Sequence, residues 1–332
     1  MSNNTIQTPI LSIKRLCDII SIPPAKIEQI CNNIESYYKP FDVYKGKRED
    51  GSDKWRHIDN PVGDLKLVQD RINKNILKPV SKNLPDFLTG GMPGRSILKN
   101  ASFHLDKPMV ITLDIANCFP SITDKMIFDV WRKQLNCSPK VSSVLTRLST
   151  INFNLPQGSP ASPILCNLTL YPLANAISKK ARQKKVDFTI YMDDITLSGD
   201  KKPAQSLIAD VIKIVSSHNL RISKEDAKFC ILGSNYMQEI TGLIVNQKPN
   251  IQRQKIESIR REIIEVSNNI HTTPSYVLNT LWGKITFLRA INEQQGEKMV
   301  AFANLKLGSE NGIPKIAPSH KRRVCKSYKN VH

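Results

Sequence analysis

The feature that most restricts this chain is a pair of adjacent aspartates, Asp193 and Asp194, set between two strand-like runs within residues 188–198. Apolar and β-branched residues on both sides of Met192-Asp193-Asp194 predict a β-hairpin with the acids at its tip. Two like charges held so close repel unless a cation lies between them. Carboxylate oxygens with no histidine or cysteine alongside favour a hard ion, magnesium or manganese. An isolated Asp-Asp pair is more often a solvated surface turn, so the reading needs support from elsewhere in the chain.

A third acid supplies that support. The run MVITLDI, residues 109–115, is compact and apolar and reads as a buried strand that ends near Asp114. A charge in that position needs a partner. Placing the strand end beside the hairpin tip would gather three carboxylates, enough for two metal ions about 4 Å apart.

Composition narrows the class of partner. The chain has 332 residues, 40% of them hydrophobic, which suits a folded protein with room for more than one lobe. Its formal charge of +19 predicts a polyanionic partner. No apolar run approaches the ~18 residues that span a bilayer, so no membrane partner is expected. The stretch from Met1 to Pro9 lacks a basic-then-apolar leader, which points to the cytoplasm. The seven cysteines include no CxxC and the six histidines are dispersed, so reduced, mostly buried thiols are expected rather than disulfides or zinc.

Periodicity sketches the remaining elements. Leu11, Ile13, Leu16, Ile19 and Ile20, then Ile27, Ile30 and Ile34, predict short amphipathic helices broken at Pro23-Pro24. Such a pair suits a docking element on the next domain better than a helix-turn-helix. Residues 41–60 predict a hairpin whose basic tip is either a phosphate contact or a solvated turn. Helices are predicted over 64–77, 124–135, 163–185 and 203–218, and a further one carries Ile256, Ile259, Ile263 and Val266 with arginines and lysines between them.

Three segments carry a resemblance. TLDIANCFPSI (112–122) resembles the first palm motif of reverse transcriptases, an aspartate followed five positions later by an aromatic residue. LPQGSPASPILCNL (155–168) resembles the second, a Gln-Gly turn leading into a helix, and YMDDITLSG (191–199) the third, the Y-x-D-D hairpin. Asn100-Ala101-Ser102-Phe103-His104 resembles the NAxxH element of bacterial retron reverse transcriptases, and Ile240-Thr241-Gly242-Leu243 their VTG element with Ile for Val. Lys54-Trp55-Arg56-His57-Ile58 resembles the family's fingers strand, and Gly94-Arg95-Ser96-Ile97 the segment before NAxxH. The likeness runs from about residue 40 to about 290. The length leaves no room for a maturase or endonuclease domain, and the intact Gln157-Gly158 differs from diversity-generating enzymes. One position departs: Asp226 stands where the family usually has a lysine, so either Lys224 or Lys228 replaces it or its proton-donating role is weakened.

The resemblance implies an α+β right-hand polymerase with an N-terminal helical extension (1–40), fingers and palm (41–245), a helical thumb (246–314) and a basic tail (315–332). Asp114 and Asp193 would hold two Mg2+ ions, with Mn2+ as the alternative, and Asp194 would complete the cluster. Arg56 with Lys54 would neutralise the triphosphate of a deoxynucleotide. Phe119 would exclude a ribose 2′-hydroxyl, and Gln157 and Gly158 would floor the nucleotide site. Arg95, Asn100 and His104 fall to RNA recognition or to scaffold, while Thr241, Gly242, Arg253 and Arg260 would grip structured RNA. A retron enzyme implies a cognate non-coding RNA as template and primer and an RNA-linked single-stranded DNA product. It also implies phage defence beside a separate effector protein. The competing expectations are a non-retron defence polymerase and an RNA-binding, polymerase-like scaffold.

Overall fold

The computed structural model describes residues 9–47, 50–225 and 229–308. Asp226, Lys228 and the basic tail from residue 315 therefore lie outside the described residues. The chain divides into two compact units, Met1–Lys248 and Pro249–His332.

The first unit opens with α1 (Ile13–Ile20) and α2 (Pro24–Asn32). Ser12 caps α1 by accepting from the Arg15 amide, and Pro24 sits at the first turn of α2, where its missing N–H costs nothing. The inward residues Leu16, Ile20, Ile27, Ile30 and Ile34 join the core of the whole unit. Strands β1 (Phe41–Lys47) and β2 (Asp53–Ile58) form an antiparallel hairpin. Next come α3 (Gly63–Ile72), α4 (Lys78–Ser81) and α5 (Ile97–Ser102).

A four-stranded sheet of order β4-β5-β3-β6 follows, from β3 (Met109–Asp114), β4 (Asp187–Tyr191), β5 (Asp194–Gly199) and β6 (Cys230–Gly233). The continuous apolar run of β3 suits a central strand buried on both faces, with Val110, Ile111 and Leu113 almost fully enclosed. Between β3 and β4 lie α6 (Cys118–Ser121), α7 (Asp124–Asp129), α8 (Pro139–Ser149) and α9 (Ser162–Gln183). The helix predicted over 124–135 is interrupted, because α7 passes into a π-helical turn over Val130–Gln134. The wider turn puts the neighbours Val130 and Trp131 both into the core. Helix α10 (Lys201–Ser217) buries Ala204, Leu207, Val211 and Val215 at helical spacing. A two-stranded hairpin, β7 (Glu239–Ile240) and β8 (Leu243–Ile244), ends the unit.

The second unit consists, in its described part, of α11 (Arg253–Asn268), α12 (Ser275–Ile291) and α13 (Glu293–Leu307). Ile259, Ile263 and Val266 meet a core shared with Leu281, Ile285, Leu288, Met299 and Ala303. Gly296 lets α13 pass close to α12, since a Cβ there would lie 2.1 Å from the Arg289 Cα. Among the described residues no helix is long and apolar enough to cross a membrane.

Candidate active site

Sheet register brings the acids together. Strands β3 and β5 pair antiparallel with Asp114 opposite Asp194, and β4 pairs with β5 so that Tyr191 also faces Asp194. Met192 and Asp193 form the tip, Met192 at a φ of 59°. The Ile115 amide donates to the Asp193 carbonyl at 2.9 Å, which folds the tip onto the end of β3. One oxygen from each of Asp114, Asp193 and Asp194 lies within 4.8 Å of the others. Asp114 is buried and the other two are half-buried.

The donor set suits a hard divalent cation, because it is carboxylate oxygen alone. Two thiols lie close by, Cys118 and Cys166, with sulfurs 3.8 Å apart. The hydrogen bond to Cys118, burial, and the nearby Cys118 and Asp193 all raise the Cys166 pKa well above its ordinary value. These surroundings disfavour the Cys166 thiolate, the form that serves as a soft ligand.

A cavity of about 580 Å³ opens on the acids, lined by Lys54, Arg56, Phe119, Gln157, Asp193 and Glu225 among others. That volume suits a nucleotide-sized ligand. Lys54 and Arg56 come from β2, two residues apart on one strand face. Phe119 reaches the cavity through a turn at Asn117, which adopts a left-handed φ of 46°. The Gln157 carbonyl accepts from the Asp59 amide at 2.8 Å, tying this loop to the end of β2. Gly158 is required there: at a φ of 129°, a Cβ would lie 2.9 Å from both the Asp59 carbonyl and the Ile58 side chain.

Other residues singled out in the sequence lie elsewhere. Asn100 and His104 are fully buried in a hydrogen-bond network under the β4–β5 hairpin. Thr89 and Thr189 donate to the Asn100 Oδ1 at 2.8 and 2.6 Å. Thr189 must then accept from His104 Nε2 (2.7 Å), which leaves Nδ1 to accept from Ser198 at 2.7 Å. Asn100 also reaches the Thr241 hydroxyl at 3.4 Å, beside the exposed Gly242 side of the β7–β8 turn. Arg95 is mostly buried and donates to the carbonyls of Leu84, Pro85 and Leu88. In the second unit Arg253 and Arg260 are exposed on α11. Arg253 pairs with Glu257 at 2.8 Å, and Arg260 lies over the Phe302 ring at 4.8 Å.

The structure also places residues in the cavity that sequence reading missed. Glu225 bonds Lys54 at 2.8 Å, and Asn117, Asn152, Asn154, His57 and Asp59 line the walls. His57 and Asn117 fall inside the quoted motifs and Asp59, Asn152 and Asn154 outside them, and no spacing rule reaches from residue 225 to residue 54.

Converging carboxylates on antiparallel strand ends, beside a cavity of nucleotide size that Lys45, Lys54 and Arg56 help to line, define a nucleotidyl-transferring polymerase palm. The family model for reverse transcriptase (RNA-dependent DNA polymerase) matches residues 45–260. The chain is 31% identical to the retron Se72 reverse transcriptase of Salmonella heidelberg (strain 579083-10) over 259 residues, 76% of this chain and 67% of that protein. It is 29% identical to the retron Ec86 reverse transcriptase of Escherichia coli over 264 residues, 79% of this chain and 80% of that protein. A solved telomerase from Candida albicans, in complex with a fragment of telomeric RNA, aligns with a TM-score of 0.47 at 9% identity, covering 85% of this chain and 62% of that one. The chain belongs to the reverse transcriptase family, in its bacterial retron type, and is an RNA-directed DNA polymerase with the α+β architecture of that family.

Proposed function

We propose that this enzyme copies part of a cognate structured non-coding RNA, serving as template and primer, into RNA-linked single-stranded DNA. It does so by two-metal nucleotidyl transfer with Mg2+, in the cytoplasm, in phage defence beside a separate effector protein. The observation that carries the chemistry is the meeting of Asp114, Asp193 and Asp194 within 4.8 Å, with Asp193 lining the cavity that also holds Lys54 and Arg56.

The three carboxylates would hold the ions. When bound, these supply activation of the attacking hydroxyl and charge neutralisation on the triphosphate. The chain's own residues do the rest. Arg56 and Lys54 orient the phosphates, a guanidinium fork matching their oxygens. Phe119 closes the space a 2′-hydroxyl would need, and the Gln157–Gly158 loop sets the floor under the nucleotide. The primer hydroxyl attacks the α-phosphorus and the bond to pyrophosphate breaks. Residues 41–245 act as fingers and palm, 246–314 as thumb, and Arg95, Asn100 and His104 as scaffold. Thr241, Gly242, Arg253 and Arg260 grip RNA.

The test is synthesis by the purified protein with the RNA of its neighbouring gene, Mg2+ and deoxynucleotides, followed by sequencing and ribonuclease treatment of the product. Asp193→Ala should cut incorporation by about a thousandfold, roughly 4 kcal/mol of transition-state stabilisation, with RNA affinity retained. Synthesis that survives the change removes the metal assignment. Protection of a host against phage should vanish with the same variant.

A further inference from the structure

Residues 151–154 form a two-residue hairpin turn: the Ile151 amide donates to the Asn154 carbonyl at 3.0 Å, and the Asn154 amide to the Ile151 carbonyl at 2.9 Å. Both central residues are left-handed, Asn152 at a φ of 48° and Phe153 at 61°. Asparagine tolerates that position, but the second is one that glycine fills without strain and a bulky residue does not. Phe153 holds it while 78% exposed, so no packing of the ring offsets the cost. The turn is fixed in place, because the Phe153 carbonyl accepts from the Asp124 amide at 2.8 Å and the Leu155 amide donates to the Ile122 carbonyl at 2.9 Å. A strained, rigid and solvent-facing aromatic side chain is a reason to look for a ligand.

Its surroundings say which. Ile151, Asn152, Asn154 and Leu155 line the catalytic cavity, so the ring stands just outside it. It lines a neighbouring hollow of about 380 Å³ together with Asp124, Lys125, Phe128, Thr146 and Arg147. Arg147 already bonds Glu35 at 3.0 Å, whereas Lys125 is exposed and has no ion-pair partner among the described residues. An aromatic face beside a cation is the element with which single strands are held: the base stacks and the phosphate is neutralised. Bases inside a duplex already have both faces covered. An unpaired base has a face free for the ring.

We propose that Phe153 is a stacking platform for an unpaired nucleotide of the RNA template strand as it approaches the catalytic cavity, with Lys125 facing that strand's phosphate. This assignment rests on the reading of the enzyme as copying a primed RNA.

The probe is an RNA template annealed to a DNA primer, with or without an unpaired 5′ template extension, titrated against the full chain. The quantity read is the ratio of the two affinities. Phe153→Gly relieves the left-handed backbone, so it removes the ring without a folding penalty. It should reduce the preference for the extended template by about tenfold, toward the low end of one base–aromatic stack. Phe153→Trp should keep the preference. An unchanged ratio in Phe153→Gly overturns the proposal and leaves the ring for a protein contact. Equal weakening on both substrates leaves that ratio unchanged too, and so overturns it by placing the ring against duplex. A wild-type chain that neither binds nor extends the primed RNA would instead sink the polymerase reading beneath it.

Discussion

Lys54 is a single side chain held in place by an acid from a distant part of the chain. Its ammonium lies 2.8 Å from Glu225 in a cavity that also carries Lys45 and Arg56. Both partners are more than a third exposed, so solvent screens the pair and it is worth only about 0.2–1 kcal/mol. A carboxylate at that spot would nevertheless oppose a triphosphate entering the cavity, and it pairs with one of the cavity's cations. Glu225→Gln is therefore expected to lower the KM for deoxynucleotide by about two- to fivefold with kcat close to that of the wild type, the pattern of a change in uniform binding. Steady-state kinetics at saturating template measure both constants. A KM that rises would mean that Glu225 orders Lys54 for the triphosphate rather than competing with it.

At the scale of elements, α5 is fastened to the β4–β5 hairpin through Asn100 and His104. Burial, followed by the charge of Lys107, pushes the His104 pKa down to about 3 from an ordinary 6.5. Above 6.5 the imidazole is neutral in folded and unfolded chains alike, and stability gains nothing from further alkalinity. Below it the unfolded chain takes up a proton that the folded chain refuses, so stability falls as pH drops toward 3, by at most about 1.4 kcal/mol per pH unit. Urea midpoints of wild type and His104→Gln across that window should diverge in slope, and parallel slopes would mean that the buried ring is not what titrates. The elements themselves were legible before the structure. The apolar run of β3, the broken run of the β4–β5 hairpin and the stripe of α10 are local patterns, and local patterns survive in sequence. The register that sets Asp114 opposite Asp194 is not local: the lone charge ending β3 and the motif resemblance pointed to a meeting of the acids, not to its register. Whether His104 reads RNA or braces the palm stayed open for the same reason, since burial is decided by elements far away in the chain. Glu225 was invisible as a cavity residue because its partner lies 171 positions away.

For the whole molecule, the excess of +19 charges is the strongest pull toward a polyanion. It is spread over both units: Lys45, Lys54 and Arg56 line the cavity of the first, while Arg253 and Arg260 stand exposed on α11 of the second. Arg260 is the better placed of these two, because its guanidinium is steadied over the Phe302 ring, whereas Arg253 already holds Glu257. Each phosphate neutralised releases condensed counterions, so about six to ten contacts should lose roughly 10³–10⁵ in affinity between about 50 and 200 mM salt. The same titration separates the two arginines. Arg260→Ala should flatten the slope of log affinity against log salt by about 0.7–0.9, one phosphate's worth, and Arg253→Ala by less. Asp193→Ala should keep the wild-type slope, since its change lies in the carboxylate cluster and not among the surface cations. A salt-independent wild-type affinity would mean that the charge serves solubility, and that RNA is held by shape and stacking alone.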